Sequence, residues 1–140
     1  MKNSEQFKIF IVDDDLFCAK IYENYLISLN YTDITHFTNG NDCLNHLNLN
    51  PDIVFLDYNM DDITGFEVLK EIKCYNPDIY VIMISGQQAV KTAVEVLKCG
   101  AFDYITKESN VCHDISIIMD KITNIKEELK KSNQLLKNQL

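Results

Sequence analysis

The chain has 140 residues, of which 46% are hydrophobic and 24% are charged, which is typical of a globular protein with one well-packed domain. Its formal charge of -8 argues against a nucleic-acid-binding surface, because contacts to phosphate groups need clustered Lys or Arg side chains. No apolar run approaches the roughly 18 residues of a membrane span, and the N-terminal residues lack a signal peptide's apolar stretch, so we expect a cytoplasmic protein without membrane insertion.

Apolar runs alternate with segments of helical periodicity along the whole chain. In chain order, the predicted elements are a strand at 8–12, a helix at 15–29, a strand at 33–37, a helix at 40–47, a strand at 53–56, a helix at 64–75, a strand at 78–84, a helix at 88–99, a strand at 101–105 and a long final helix. Strands joined by helical crossovers run parallel, and right-handed crossovers cover both faces of the sheet.

These elements predict an α/β fold, a three-layer α/β/α sandwich of the flavodoxin-like (βα)5 type. The predicted parallel sheet has the strand order 2-1-3-4-5. The strands at 8–12, 53–56 and 79–84 are apolar throughout, so we expect them in the centre of the sheet.

Carboxylates follow two of these central strands. Asp57 ends the third strand, and Asp13 and Asp14 end the first, which is its neighbour in the predicted order. Carboxyl ends of parallel strands meet at one edge, so the three side chains should converge where the strand order reverses. Crowded carboxylates have raised pKa values unless a cation neutralises them, and Mg²⁺ suits such oxygen ligands. Asp15, by contrast, is best explained as the N-cap of the following helix.

Two further polar residues belong to the same edge. The fourth strand delivers the hydroxyl of Ser85, and the fifth delivers the ammonium group of Lys107. A carboxylate nucleophile, a divalent cation, a hydroxyl and a fixed positive charge are suited to phosphoryl transfer onto Asp57. His36, His46 and His113 have no clustered partners, and we assign them no ligand or catalytic role.

Five short segments stand out in the sequence: IVDDD at 11–15, FLDYNM at 55–60, TGFEVL at 64–69, VIMISG at 81–86 and GAFDYITK at 100–107. They resemble response-regulator receiver domains, the phosphorylated half of two-component signalling systems. Each lies near the end of a predicted strand, in the family's order and with similar spacing, and the resemblance covers about residues 7–120. It implies a CheY-like switch that catalyses only its own phosphorylation and dephosphorylation and is otherwise not an enzyme.

The resemblance also implies a role for each matching residue. Asp57 is the expected phospho-acceptor. Asp13 and Asp14 are the acidic pair expected to bind Mg²⁺, together with Asp57 and the backbone carbonyl of Asn59. Ser85 matches the switch hydroxyl, Lys107 the lysine typical of the family's site, and Tyr104 the switch aromatic. Asn59 and Gln87 occupy the positions that tune hydrolysis of the acyl phosphate in the family.

The sequence departs from the family pattern at three positions beside the expected site. Asp61 replaces a proline and Thr64 replaces an acid, so the loop after Asp57 should be held differently. Glu108 follows Lys107 where the family has a cis-proline; a cis bond to a non-proline costs roughly 2.5–4 kcal/mol, so we expect a trans bond with a reshaped loop or a strained cis bond.

The final helix carries a heptad-like seam of apolar residues. Its members are Val111, Ile115, Ile118, Ile122, Ile125, Leu129 and Leu136, interrupted by Ser132. We expect the first half to pack on the sheet within a receiver domain of residues 1–120. Residues 121–140 extend this helix as a short coiled coil, a linker or a frayed end.

Three functions remain open from the sequence. The first is a receiver that takes a phosphoryl group from a sensor histidine kinase or a histidine phosphotransfer protein and changes its contact with an output protein or domain. A homodimer would form through the last helix, or through the surface of the fourth helix, fifth strand and fifth helix. The second is an Mg²⁺-dependent phosphohydrolase with an aspartyl-phosphate intermediate. The third is a degenerate receiver-like module that binds partners without phosphorylation.

Overall fold

The computed structural model describes residues 6–86 and 90–139. Five parallel strands form one sheet in the order β2-β1-β3-β4-β5, as predicted. Their bounds are β1 Ile9–Val12, β2 Ile34–Phe37, β3 Ile53–Asp57, β4 Tyr80–Ser85 and β5 Asp103–Thr106. The residues of β1 and β3 are all buried, and those of β4 are buried from Val81 onward. The prediction that these three strands are central is therefore confirmed.

Within the described ranges, five α-helices connect or follow the strands. They are α1 Leu16–Ser28, α2 Gly40–Asn45, α3 Gly65–Tyr75, α4 Val90–Lys98 and α5 Val111–Asn138. Side chains cap several of their N-termini: Asp15 accepts hydrogen bonds from the N–H groups of Phe17 and Cys18, as expected for an N-cap. Thr64, where the family resemblance leads one to expect an acid, caps α3 by accepting from the N–H of Glu67.

A hydrophobic layer covers each face of the sheet. One layer joins β-strand residues to the apolar sides of α1 and α5, through residues such as Leu26 and Ile118. The other joins the opposite face to α2, α3 and α4, through Cys43, Leu69 and Val96. The three-layer α/β/α architecture is therefore the observed one, and it leaves the carboxyl ends of the strands as an open edge.

Element boundaries differ from the sequence expectation by one or two residues in most cases. Asp57 and Ser85 lie inside β3 and β4 rather than just beyond them. Helix α2 ends at Asn45 and is followed by a 3₁₀ turn, Leu47–Leu49, which closes at Asn50 in the left-handed conformation (φ 59°). At the last turn of α2, the His46 ring contacts the carbonyl of Asp42 (2.7 Å).

Helix α5 runs without interruption far beyond the sheet. Ile115, Ile118 and Ile122 are buried, whereas Ile125 is 38% exposed, Leu129 57% and Leu136 61%. Every side chain from Glu127 to Gln139 is exposed. Among the described residues, no helix combines the length and the apolar composition that crossing a bilayer requires.

Candidate functional site

Three carboxylates meet at the carboxyl edge of the sheet. Asp57 is the last residue of β3, and Asp13 and Asp14 follow β1, which pairs with β3 up to Val12 and Leu56. One oxygen from each of the three side chains lies within 4.8 Å of the others. Asp13 and Asp57 are 2% and 4% exposed, whereas Asp14 is open to solvent. The sequence-predicted acidic residues are thus brought together in a half-enclosed cluster.

Lys107 faces this cluster from the end of β5. Its Nζ lies 3.4 Å from Oδ1 of Asp57 and 3.6 Å from Oδ2 of Asp13. Its backbone N–H donates to the carbonyl of Ser85 (2.8 Å), which extends the β4–β5 pairing to the site. A single ammonium group therefore neutralises part of the charge of two buried carboxylates.

The burial of this cluster perturbs its protonation. Burial and the neighbouring charge of Asp13 raise the pKa of Asp57 to about 7, against the opposing effects of Lys107 and of the Asn59 N–H. Burial also raises the pKa of Asp13, although the N–H of Asp15 and the charge of Lys107 oppose it. Burial lowers the pKa of Lys107, but attraction to Asp13 and Asp57 outweighs this and leaves the pKa raised. Without a further cation, the site holds less than its full negative charge.

Backbone contacts fix the two buried carboxylates. The N–H of Asp15 donates to Oδ1 of Asp13 (2.8 Å), and the N–H of Asn59 donates to the carboxylate of Asp57. His36 of β2 lies 2.8 Å from the carbonyl oxygen of Asp13 through its Nε2. A carbonyl accepts only, so Nε2 carries the proton. No role for His36 is predicted from the sequence, in which its one signal is its position on the strand next to β1.

The loop after Asp57 folds back on its own start. The N–H of Gly65 donates to the carbonyl of Tyr58 (2.8 Å), and the N–H of Tyr58 donates to the carbonyl of Ile84 (2.9 Å). A Cβ at Gly65 would stand 2.5 Å from the carbonyl oxygen of Asp57, so the close approach of α3 to β3 requires glycine. Asn59 and Asp61 are exposed on this loop.

The other predicted residues occupy the following positions. Ser85 is fully buried at the end of β4, and Tyr104 is half-buried in β5, packed beside the layer of α2, α3 and α4. Gln87 lies outside the described residues. Throughout residues 6–86 and 90–139 every peptide bond is trans, including that between Lys107 and Glu108, so the first of the two expected loop geometries is observed.

The donor set fits a magnesium ion. Carboxylate oxygens from three side chains converge within one ion's reach, and two of the three are buried with a single lysine as counter-charge. Hard oxygen ligands with one open, solvated side are what Mg²⁺ prefers, because it retains several water ligands. The cluster contains no Cys or His that would favour a softer metal.

Comparison with known proteins decides the family. The family described as "Response regulator receiver domain" matches residues 9–118. The chain belongs to this family. The receiver domain is 38% identical over 106 residues to the transcriptional regulatory protein ZraR of Klebsiella oxytoca, which covers 75% of this chain and 24% of that protein. The chain spans about a quarter of the length of the curated relatives that it matches.

Solved structures agree with this assignment. The receiver domain superposes with a TM-score of 0.76 on a chain of the CheX–CheY–BeF3–Mg²⁺ complex of Borrelia burgdorferi, at 26% identity over 83% of this chain and 89% of that one. With the BeF3-activated DrrB receiver domain the TM-score is 0.74, at 28% identity over 88% and 99% of the two chains. The protein is therefore a CheY-like receiver domain of two-component signalling.

Proposed function

We propose that this receiver domain accepts a phosphoryl group on Asp57 in an Mg²⁺-dependent reaction and thereby switches a partner-binding surface. The observation that carries the proposal is the joint placement of Lys107 and the acidic cluster: one ammonium group within 3.4 and 3.6 Å of two buried carboxylates. Isolated surface acids and lysines do not produce this arrangement, whereas a site that receives a highly charged phosphoryl group needs it.

The proposed reaction moves a phosphoryl group from a histidine imidazole to Asp57. An oxygen of the Asp57 carboxylate forms the new P–O bond as the P–N bond of the phosphohistidine breaks, and the leaving nitrogen keeps the electron pair and takes up a proton. Asp13, Asp14, Asp57 and the backbone carbonyl of Asn59 would hold Mg²⁺, which supplies positive charge against the phosphoryl oxygens when bound. Lys107 neutralises the same charge from the β5 side.

The proposed switch runs through β4 and β5. In the receiver family the residue at the position of Ser85 turns its hydroxyl toward the phosphoryl group, and the aromatic at the position of Tyr104 then turns inward. Ser85 pairs with Thr106 and Met83 with Tyr104, so the two strands are paired at the level of both switch residues. Asn59 and Gln87 would tune hydrolysis of the acyl phosphate.

The partners follow from this chemistry. The donor would be a sensor histidine kinase or a histidine phosphotransfer protein, and the response would be read by an output protein or domain. We assign residues 1–120 to the receiver domain and residues 121–140 to an extension of α5, which leaves Ile125, Leu129 and Leu136 available for a homodimer through the last helix. The alternative dimer surface is α4, β5 and α5. The cytoplasmic location expected from the sequence remains a prediction.

Intact mass spectrometry after incubation with acetyl phosphate tests the proposal. The wild type should gain one phosphoryl group with Mg²⁺ and none with a chelator, whereas Asp57→Asn should gain none. Asp61→Asn is the matched control, because Asp61 is an exposed acid on the same loop, and it should behave like the wild type. If the wild type neither gained the group nor bound beryllofluoride, the degenerate module would be indicated instead. Turnover of a phosphate ester would indicate the phosphohydrolase.

A further inference from the structure

The loop between β3 and α3 is tied to a second element through Asp62. The N–H of Asn41 donates to Oδ2 of Asp62 (2.9 Å), and the N–H of Gly40 donates to Oδ1 (3.2 Å). Both donors belong to the first turn of α2. Each carboxylate oxygen thus has its own backbone donor, and the middle of the loop is joined to a helix that lies elsewhere in the sequence.

The charge of Asp62 suits this contact. Partial desolvation raises the pKa of Asp62, but the hydrogen bonds from the N–H groups of Asn41, Ile63 and Gly40 together outweigh it and lower the pKa, so the group stays ionised at neutral pH. Hydrogen bonds to an ionised acceptor are stronger than those to a neutral one, and a negative charge is favoured beside the first N–H groups of a helix.

Apolar packing supports the same contact. A Cβ placed on Gly40 would lie 2.8 Å from Cγ1 of Ile63 and 2.6 Å from Cγ2 of Val68, so the backbone of α2 closely approaches the loop. Ile63 and Met60 are half-buried against the hydrophobic layer of α2, α3 and α4. The loop is therefore held against α2 by hydrogen bonds and by its apolar side chains together.

Asn59 lies between two fixed points of this loop. The base is closed by the Gly65 N–H bond to the carbonyl of Tyr58, and the tip is attached to α2 through Asp62. Asn59 itself donates its N–H to the carboxylate of Asp57. With both ends restrained, the backbone of Asn59 has little freedom to move away from the acidic cluster.

We propose that Asp62 is a positioning residue that clamps the loop carrying Asn59 to the N-terminus of α2 and so fixes the Asn59 backbone beside the metal site. Asp62 supplies the restraint that a proline at position 61 would otherwise impose on the loop. The inference rests on the proposed function, because it assigns Asp62 a part in binding Mg²⁺. It differs from that function in that the clamp can be tested without Mg²⁺.

Asp62→Ala, which removes the two hydrogen bonds to α2 together with the local one from the Ile63 N–H, is compared with Asp62→Asn, which retains one acceptor oxygen. Asn39→Ala is the matched control, because the side chain of Asn39 caps the same helix through the N–H of Asp42 (2.8 Å) and donates its amide to the Asp42 carboxylate (3.1 Å). Two quantities are measured by NMR: amide hydrogen exchange of Asn59 and of Gly65, whose N–H donates to Tyr58 and not to Asp62, in the metal-free protein, and the Mg²⁺ dissociation constant from the amide shift of Asn59.

For Asp62→Ala we expect faster exchange at both amides and an Mg²⁺ dissociation constant raised about tenfold, the range found when groups that orient metal ligands are lost. Asp62→Asn should fall between this variant and the wild type. Asn39→Ala should leave both quantities within about twofold of the wild type, even if it lowers the melting temperature, because losing a helix cap lowers stability without releasing the loop.

Unchanged exchange in Asp62→Ala would overturn the clamp. Equal losses of Mg²⁺ affinity in Asp62→Ala and Asn39→Ala would overturn the positioning role, since general destabilisation would explain both. If the wild type itself bound no Mg²⁺, the proposed function would fail and the positioning role with it, while the exchange data would still decide whether Asp62 clamps the loop.

Discussion

Lys107 reaches across a whole strand to Asp57. Its Nζ lies 3.4 Å from Oδ1 of Asp57, although β4 separates β3 from β5 in the sheet. The Lys107 N–H bond to the carbonyl of Ser85 fixes where the side chain begins. The site is therefore assembled from the ends of β1, β3 and β5 across β4, and its charge balance depends on this one lysine.

Lys107→Gln should destabilise the metal-free protein at about pH 8 by roughly 2 kcal/mol, because two buried carboxylates lose their counter-charge. At about pH 4 the loss should be smaller, since protonated carboxyl groups need no counter-charge. Urea unfolding at both pH values measures the free energies. Lys121→Gln makes the same charge change on the exposed side of α5 and should have little effect at either pH. A loss that did not depend on pH would contradict the charge balance described above.

Asp57→Asn should stabilise the metal-free protein above neutral pH. The folded-state pKa of Asp57 is raised from 3.8 to about 7. The folded wild type is therefore most stable relative to the unfolded chain below about pH 4, and the contribution of Asp57 to this stability is lost as pH rises through about 7. The loss amounts to at most roughly 4 kcal/mol, and the variant should escape it. The measurement is the free energy of unfolding between about pH 4 and pH 8.

Mg²⁺ provides the internal check on this pH dependence. Added Mg²⁺ should restore the stability of the wild type near pH 8, because ligand that binds only the folded state adds to its stability. It should stabilise Asp57→Asn less, since that variant lacks one carboxylate of the cluster. Parallel pH curves for the two proteins without Mg²⁺ would show that Asp57 is not the group responsible.

Gly65→Ala should destabilise the domain by roughly 2 kcal/mol, as overpacking of a tight contact does. Its Cβ would meet the carbonyl oxygen of Asp57 at 2.5 Å and Cα of Tyr58 at 2.7 Å, and these backbone atoms cannot give way as a flexible side chain would. Gly86→Ala is the control, because within the described part of the chain no atom beyond its immediate neighbours lies within 4 Å of the added Cβ. Thermal unfolding compares the two; equal melting temperatures would argue against the close approach of α3 to β3.

The exposed seam of α5 predicts self-association. Leu129→Glu should reduce the dimer fraction in light scattering, because Leu129 is 57% exposed and lies on the apolar seam. Leu135→Glu is the matched control: Leu135 is 63% exposed but lies off the seam, and it should affect the dimer less. Ending the chain after Lys126 should abolish the dimer while leaving the buried part of α5 intact. An unchanged mass for both Leu129→Glu and the shortened chain would exclude a dimer through this helix.

The fold was predictable because its signals are local. The strand at 53–56 is a short apolar run, and the helices at 15–29 and 64–75 show helical periodicity, so their order and the parallel sheet follow. The convergence of Asp13 and Asp57 also follows from topology, because neighbouring parallel strands end at one edge. In the sequence Thr64 is only a departure from the family pattern, and its capping role becomes visible with the position of α3.

Contacts between distant segments were not predictable in the same way. Asp62 reaches Gly40 and Asn41 only because α2 packs beside the loop, and neither segment carries a sequence pattern that indicates the other. The contact of His36 with the carbonyl of Asp13 depends on the pairing of β2 with β1, which sets the neighbouring residues in register. Such contacts arise from tertiary packing, which propensity and periodicity do not encode.

Helix α5 is long and begins close to the acidic site. Only residues 108–110 separate Lys107 from the helix, and Asn110 caps the helix by accepting from the N–H of His113 (3.1 Å). The part of α5 from Glu127 to Asn138 extends for about 18 Å beyond the buried residues. If α5 tilted by about 10° at Glu127, its far end would be displaced by about 3 Å, so a small change in the direction of α5 would be magnified along its exposed part.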